Sequence, residues 1–215
     1  TKQSILKYLL SQILRDENGI AHCVALSGGK DSTAMALLLR EQYPDRPFNY
    51  LCTPTGDELP EMVAHWARLA KLLGRPILPI NTLSFKEMCE QQGTLPNARM
   101  RFCTRILKIE PYKMFIANIA PAISYVGLRA DEPDRKGMEN MPTGIELQFP
   151  LRCAGMNIQD VYRFLEDRDI TVPARTDCAR CFFQSLWEWF VLWRDHPDIF
   201  ADSVKQEEES GHTFR

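Results

Sequence analysis

Short apolar runs alternate with amphipathic segments along most of this chain, and this alternation restricts the fold more than any other feature. Continuous apolar runs predict strands buried on both faces, whereas apolar residues with a period of about 3.6 predict helices packed on those strands. The predicted strands are residues 20–26, 48–53, 76–80, 122–128 and 145–149. The predicted helices are residues 4–15, 31–43, 59–73, 84–91, 104–118, 157–168, 184–195 and 197–208, and Pro111 is expected to kink or restart the helix 104–118. Strands that alternate with helices favour an α/β fold with a doubly wound, mostly parallel sheet.

Length and composition limit the organisation of the chain. At 215 residues we expect an α/β domain over residues 1–173 and a helical, cysteine-containing segment over 174–215 that packs on the same domain. The formal net charge of −2 argues against a general nucleic-acid-binding surface. No apolar run is long enough to span a bilayer, and no signal-peptide pattern is present. Seven cysteines, an odd number, suit a reducing cytoplasm, where cysteines serve metal binding, redox chemistry or the core.

The loop Ser27–Ser32, SGGKDS, follows the first predicted strand and opens the next helix. Glycines let a backbone approach a ligand closely, and a helix N-terminus attracts anions. The spacing is neither that of a Walker A loop nor that of the dinucleotide fingerprint. A structural Gly-Gly turn with Asp31 as the helix cap is the alternative. The added serines, lysine and aspartate favour a phosphate site.

SGGKDS after a first strand resembles the signature of the PP-loop superfamily, the adenine nucleotide alpha-hydrolases. Five further segments resemble, in the same order, those of phosphoadenylyl-sulfate (PAPS) reductase-like proteins: TPTGDELPE, RFCTRILKIEP, VGLRADEPDR, FPLRCAGMNIQDVYRFLEDRDI and CARCFFQSLWEW. The resemblance covers nearly the whole chain. It implies a HUP-type α/β fold that binds ATP or an adenylyl-sulfate nucleotide and acts at its phosphate or sulfate end.

The resemblance and the loop chemistry together give candidate site residues. The nucleotide-binding candidates are Ser27, Gly28, Gly29, Lys30, Asp31, Ser32, Thr55, Gly56, Asp57, Lys108 and Arg129. Three of these are also the catalytic candidates: Lys30 neutralises developing charge, Arg129 is a forked donor for phosphate or sulfate, and Asp31 either caps the helix or holds Mg²⁺. Asp57 with Glu58 has a second interpretation, as the N-cap and first turn of the next helix. Lys108 also has a second interpretation, as a surface charge.

Cys178 and Cys181 have the C-x-x-C spacing of metal ligands. The resemblance adds Cys103 as a third thiolate, with Thr104 at the position where adenylyl-sulfate reductases have a second cysteine. Cys153 is the candidate fourth ligand, and an open iron position is the other option. We expect an iron–sulfur cluster; structural zinc, or a metal-free pair in the core, are the alternatives.

Three functions agree with these features: sulfur transfer or reduction on an adenylated nucleotide, adenylation for nucleic-acid thiolation with ATP cleaved between its α- and β-phosphates, and a non-catalytic nucleotide-binding subunit. The sequence ends in EESGHTFR and lacks the ECGLH-type motif of PAPS reductases, so either that tail lies outside this sequence or the chemistry differs. Expected partners are an adenine nucleotide, a sulfur or electron donor protein, a nucleic-acid acceptor and a second copy of the chain. The basic stretch with Arg99, Arg101 and Arg105 is a candidate contact for an anionic substrate. Of Trp187, Trp189 and Trp193, two are expected in the core and one at a partner surface.

Overall fold

The computed structural model describes residues 2–214 as a parallel sheet of five strands with helices on both faces. The strands are β1 (Ala21–Ala25), β2 (Phe48–Cys52), β3 (Ile77–Pro79), β4 (Ala122–Tyr125) and β5 (Ile145–Gln148). The helices are α1 (Lys2–Ser11), α2 (Lys30–Gln42), α3 (Pro60–Leu73), α4 (Phe85–Gln92), α5 (Phe102–Thr104), α6 (Glu110–Ala117), α7 (Pro150–Cys153), α8 (Ile158–Glu166), α9 (Leu186–Asp195) and α10 (Pro197–Ser210). The strand order is β3-β2-β1-β4-β5, and every adjacent pair is parallel. The predicted α/β class with a doubly wound parallel sheet is confirmed.

Each face of the sheet buries its own side chains, because successive strand residues point to opposite faces. Val24 and Tyr50 lie in the hydrophobic cluster that α2, α3 and α8 cover. Cys23 and Leu51 lie in the cluster that α1 and α6 cover. Burial on both faces explains why β1 and β2 are continuous apolar runs in the sequence.

The chain changes direction across the sheet at β1: β2 and β3 follow on one side, and β4 and β5 lie on the other. In such sheets ligands bind beyond the carboxyl ends of the strands, where the order reverses. The segments after β1, β2 and β4 meet at this end. The packing there is close, since a Cβ on Gly127 would lie 3.2 Å from the backbone of Asp31.

The interruption expected at Pro111 is confirmed, the first helix is shorter than predicted, and one short helix was not predicted. Helix 104–118 is interrupted, because residues Arg105–Ile109 form a π-helical turn in which the Glu110 N–H donates to the Arg105 carbonyl. Pro111 lacks an N–H, so the regular ladder cannot continue through it and α6 restarts there. The first helix ends at Ser11, and the N–H of Leu14 donates to the Asn49 side chain instead. The short α7 was missed.

The C-terminal segment packs on α4 through aromatic side chains. Phe214 is buried against Phe85, and Trp189 lies between Phe214 and Phe200. The expectation for the tryptophans is reversed, since Trp189 is partly buried while Trp187 and Trp193 are exposed. The division of the chain into residues 1–173 and 174–215 stays a prediction, and residues 1 and 215 lie outside the described range. Over residues 2–214, no helix has the length and apolar character needed to cross a membrane; the cytoplasmic location stays a prediction.

Candidate functional site

The loop after β1 is held by its own serine hydroxyls. The N–H of Gly28 donates to Ser32 Oγ at 3.0 Å, and the N–H of Gly29 donates to Ser27 Oγ at 3.3 Å. The two hydroxyl oxygens lie 3.0 Å apart. Hydroxyls and amides therefore converge at the N-terminus of α2, an arrangement suited to binding an anion.

Helix α3 supports this loop from behind. Trp66 Nε1–H donates to the Ser27 carbonyl at 3.1 Å. His65 Nε2 lies 3.4 Å from Thr33 Oγ1, and burial lowers the pKa of His65, which favours its neutral form. Gly28 has a positive φ of 84°, and a Cβ there would lie 2.1 Å from the end of Met62. Glycine at position 28 is thus required both by its backbone conformation and by its neighbours.

A charged cluster joins the start of α2 to the loop after β4. Asp31 Oδ2 accepts from Lys30 Nζ at 3.2 Å and from Arg129 Nη1 at 2.9 Å. Arg129 is buried, and its Nε also donates to Asp131 at 2.9 Å, with Glu132 close by. Asp31 Oδ1 is buried without a hydrogen-bond partner in the described residues. The helix cap of α2 is Gly29, without a side-chain cap bond, so the alternative of Asp31 as the cap is wrong.

A cavity of about 650 Å³ opens between this loop and the loops after β2 and β4, a volume within the range of small-molecule sites. Six predicted residues line it: Ser27, Gly29, Lys30, Asp31, Ser32 and Lys108. Gly28, Thr55, Gly56, Asp57 and Arg129 are outside its lining. Arg135, Tyr162 and Thr176 also line it. Arg135 and Tyr162 lie in the segments VGLRADEPDR and FPLRCAGMNIQDVYRFLEDRDI that carry the resemblance, whereas Thr176 carried no sequence signal.

The loop after β2 turns towards the C-terminal segment. The Glu58 carboxylate accepts from the N–H and Oγ1–H of Thr55 and from the N–H of Gly56, at 2.6, 2.7 and 3.0 Å. Asp57 is buried and forms an ion pair with Arg180 at 2.9 Å. Burial raises the pKa of Asp57 to about 6. Leu59 is the N-cap of α3, so the interpretation of Asp57 and Glu58 as its cap is wrong.

The same loop holds the first cysteine of the C-x-x-C turn. Cys178 pairs with Glu58 in a short antiparallel bridge, and the Thr55 Oγ1–H that donates to Glu58 is shared with Cys178 Sγ, 3.4 Å from Thr55 Oγ1. Burial raises the pKa of both thiols of the turn, that of Cys181 to about 11, and the nearby Lys108 opposes the shift. Lys108 and Thr176 line the cavity, and Thr176 lies two residues before Cys178, so the C-x-x-C turn begins next to the cavity wall.

The four predicted metal ligands are not brought together. Cys103 packs with Cys89 on the hydrophobic cluster around Met88, and Cys153 is exposed at the end of α7, which follows β5 at the far edge of the sheet. Within residues 2–214, no group of three or more His, Cys, Asp or Glu side chains is arranged to hold a metal ion. The set of four does not fit an iron–sulfur cluster, because a cluster needs its thiolates around one point.

Comparison with known proteins adds a family and a fold. The model of the phosphoadenosine phosphosulfate reductase domain matches residues 21–173. The phosphoadenylyl-sulfate reductase of Candida auris, solved as a phosphate complex, has a TM-score of 0.52 at 13% identity, over 80% of this chain and 81% of that one. The U34-tRNA thiolase NcsA of Methanococcus maripaludis, solved with its 4Fe-4S cluster, has a TM-score of 0.52 at 15% identity, over 96% and 77%. An uncharacterised protein of Methanocaldococcus jannaschii is 31% identical over 111 residues; the match spans 51% of this chain but only 23% of that relative.

Proposed function

The chain belongs to the phosphoadenosine phosphosulfate reductase domain family, and we propose that it is an enzyme that binds ATP or an adenylyl-sulfate nucleotide in the cavity beside α2. The loop Ser27–Ser32 holds the phosphates or sulfate. The reaction takes place at that end of the nucleotide and serves sulfur transfer or reduction.

The observation that carries this proposal is the anion cradle at the N-terminus of α2, open to the cavity. A helix leaves its first N–H groups without an intrahelical partner, and its dipole favours negative charge there. Ser27 and Ser32 now hold each other, and both hydroxyls can turn to donate to a bound phosphate. Lys30 is partly exposed on the cavity wall, so its ammonium can exchange Asp31 for a phosphate oxygen.

Arg129 and Asp31 act as a positioning pair. Arg129 fixes one carboxylate oxygen of Asp31 at 2.9 Å and leaves Oδ1 without a partner. Magnesium in such sites is held by one or two carboxylates together with substrate phosphates. Asp31 Oδ1 would be the ligand from this chain, and the ion would neutralise phosphate charge. No step of the proposed reaction depends on an iron–sulfur cluster.

A second candidate function is adenylation for nucleic-acid thiolation. Two observations favour it: the C-x-x-C turn begins two residues after Thr176, which lines the cavity, and a structural neighbour is a thiolase of tRNA. In this reaction an acceptor oxygen attacks the α-phosphorus of ATP, pyrophosphate leaves, and sulfur from a donor then displaces AMP. The donor protein, the acceptor and a homo-oligomeric state stay predictions.

Calorimetry with ATP, together with a pyrophosphate-release assay, tests the proposal. Lys30→Ala should weaken ATP binding about tenfold or more, as expected for the loss of a charged hydrogen bond. Lys71→Ala, an exposed lysine on α3, is the matched control and should bind as the native chain does. If Lys30→Ala bound ATP with the same affinity as the native chain, the proposed nucleotide site would be wrong. ATP binding without pyrophosphate release, with or without candidate acceptors, would favour a non-catalytic subunit.

A further inference from the structure

Helix α9 exposes a row of aromatic rings to solvent. Trp187 and Trp193 are 65% and 54% exposed, and Phe190 lies between them at 43%. The ring centroids are 5.4 Å apart from Trp187 to Phe190 and 5.6 Å apart from Phe190 to Trp193, with interplanar angles of 31° and 37°. We call these three residues the aromatic row. Large rings so exposed on one helix face mark a binding surface.

Positive charge lies at the start of this row. Arg101 covers the ring of Phe183 at 4.8 Å, and Phe183, itself exposed, lies three residues before the first residue of α9. Arg99 and Arg101 are exposed, and among residues 2–214 neither has an ion-pair partner. The acidic groups of α9 are already engaged: Glu188 by the Ser185 cap and Asp195 by Arg194. The surface therefore combines stacking faces with the uncompensated guanidinium group of Arg101.

We propose that the aromatic row and Arg101 form a docking surface for the unpaired bases of a single-stranded RNA segment. Bases stack on aromatic side chains and on guanidinium planes, and the phosphates between them attract exposed arginines. Folded RNA presents unpaired bases in its loops, which is why RNA rather than DNA is the occupant.

The charges disfavour a second copy of this chain as the occupant. A twofold interface brings the same patch of both copies together. Arg101 of both copies would then be enclosed in one interface, with no free carboxylate on the row to compensate the two charges.

The position of the row also suits an acceptor substrate. Phe182 and Phe183, whose ring centroids lie 4.5 Å apart at an interplanar angle of 46°, directly follow Cys181. Thr176, which lines the nucleotide cavity, lies two residues before Cys178. The chain between the cavity wall and α9 therefore passes through both thiols. The biological role of this RNA binding rests on the second candidate function, adenylation for nucleic-acid thiolation. The binding test does not depend on that function.

The test measures binding of a labelled, unstructured RNA of about 12 nucleotides by anisotropy, without ATP. Trp187→Ala and Trp193→Ala should each weaken binding about tenfold, while Trp187→Phe keeps a stacking face and most of the affinity. Leu186→Ala is the matched control, because Leu186 is 70% exposed on the same helix but has no ring; it should change the affinity less than twofold. An abasic strand with the same phosphates should bind more weakly than the RNA and should not quench tryptophan fluorescence.

Several results would overturn the proposal: equal binding of the abasic strand, tighter binding of single-stranded DNA of the same sequence, or self-association through α9 seen in sedimentation and abolished by Trp187→Ala. Circular dichroism of each variant excludes misfolding as the cause of lost binding. Lys30→Ala separates the two proposals, since it should lose ATP affinity and keep RNA affinity. If Lys30→Ala keeps ATP affinity, the nucleotide site fails while the RNA surface stands.

Discussion

Gly28 and Gly29 are adjacent in the loop but differ in what an added methyl group would meet. At Gly28 the φ of 84° is unfavourable for any side chain, and a Cβ would lie 2.1 Å from Met62 Cε and 2.5 Å from Trp66 Nε1. Gly29 has a φ of −70°, and its nearest neighbour would be Thr176 Oγ1 at 3.4 Å, an ordinary contact. Substitution to alanine should therefore strain the loop at position 28 and be tolerated at position 29.

The cost of Gly28→Ala can be worked from three terms. The positive φ costs about 1 kcal/mol, displacement of Trp66 loses a hydrogen bond to the Ser27 carbonyl of about 1 kcal/mol, and overpacking costs at least about 1 kcal/mol. We expect a loss of about 3 kcal/mol or more in the free energy of unfolding. Gly29→Ala should lose less than about 1 kcal/mol, the cost of alanine at an N-cap.

Urea denaturation followed by circular dichroism measures both variants, and calorimetry with ATP follows the site. Adding Trp66→Ala to Gly28→Ala removes the obstructing ring, so the double variant should be more stable than the sum of the single losses predicts. Equal losses of unfolding free energy in Gly28→Ala and Gly29→Ala would refute the clash at position 28. So would losses in Gly28→Ala and Trp66→Ala that simply add in the double variant.

Three further outcomes follow from the site. Because burial raises the pKa of Asp57 to about 6, the folded chain holds this proton more tightly than the unfolded chain, and the free energy of unfolding relative to Asp57→Asn should fall as the pH rises from about 4 to about 6; urea titrations at each pH measure it, and a constant difference contradicts it. Arg129→Met should destabilise the chain by about 2 kcal/mol near neutral pH, since three carboxylates around it lose their cation; denaturation no different from that of the native chain would argue against the cluster. Any iron or zinc that the native chain holds should be lost in Cys178→Ser and kept in Cys153→Ser, because Cys153 is exposed on α7; elemental analysis that shows loss in Cys153→Ser would bring that residue back as a ligand.

The sheet and most helix ends could be predicted because their causes are local. Buried strands need continuous apolar runs, Gly74 ends α3 in a left-handed conformation, and Ser84 and Asn157 form capping boxes with residues three positions later. The π-helical turn before α6 could not be predicted in detail, because Pro111 excludes a regular helix but does not determine which wider turn replaces it.

The residues of the candidate site likewise fall into those with a local sequence pattern and those brought together only by the fold. The loop Ser27–Ser32 is contiguous, so its residues were found together, and five of the six line the cavity. Tyr162 and Thr176 come from distant elements, so only the fold brings them to the cavity. The four cysteines matched a spacing and a resemblance, but neither fixes where Cys103 and Cys153 lie once the π-helical turn and α7 have formed.

The loop after β2 resembles a nucleotide-binding segment, but its side chains contact the C-x-x-C turn. The carbonyl of Asp57 accepts from the N–H of Ala179, its carboxylate pairs with Arg180, and the Thr55 hydroxyl is shared between Glu58 and Cys178. These side chains, proposed for the nucleotide, are thus engaged with the C-x-x-C turn. Because Cys178 is paired with this loop, and Thr176 two residues before it lines the cavity, we expect a nucleotide that displaces the loop to displace the thiol as well. The loop is therefore the part of the chain through which nucleotide binding would reach the sulfur chemistry.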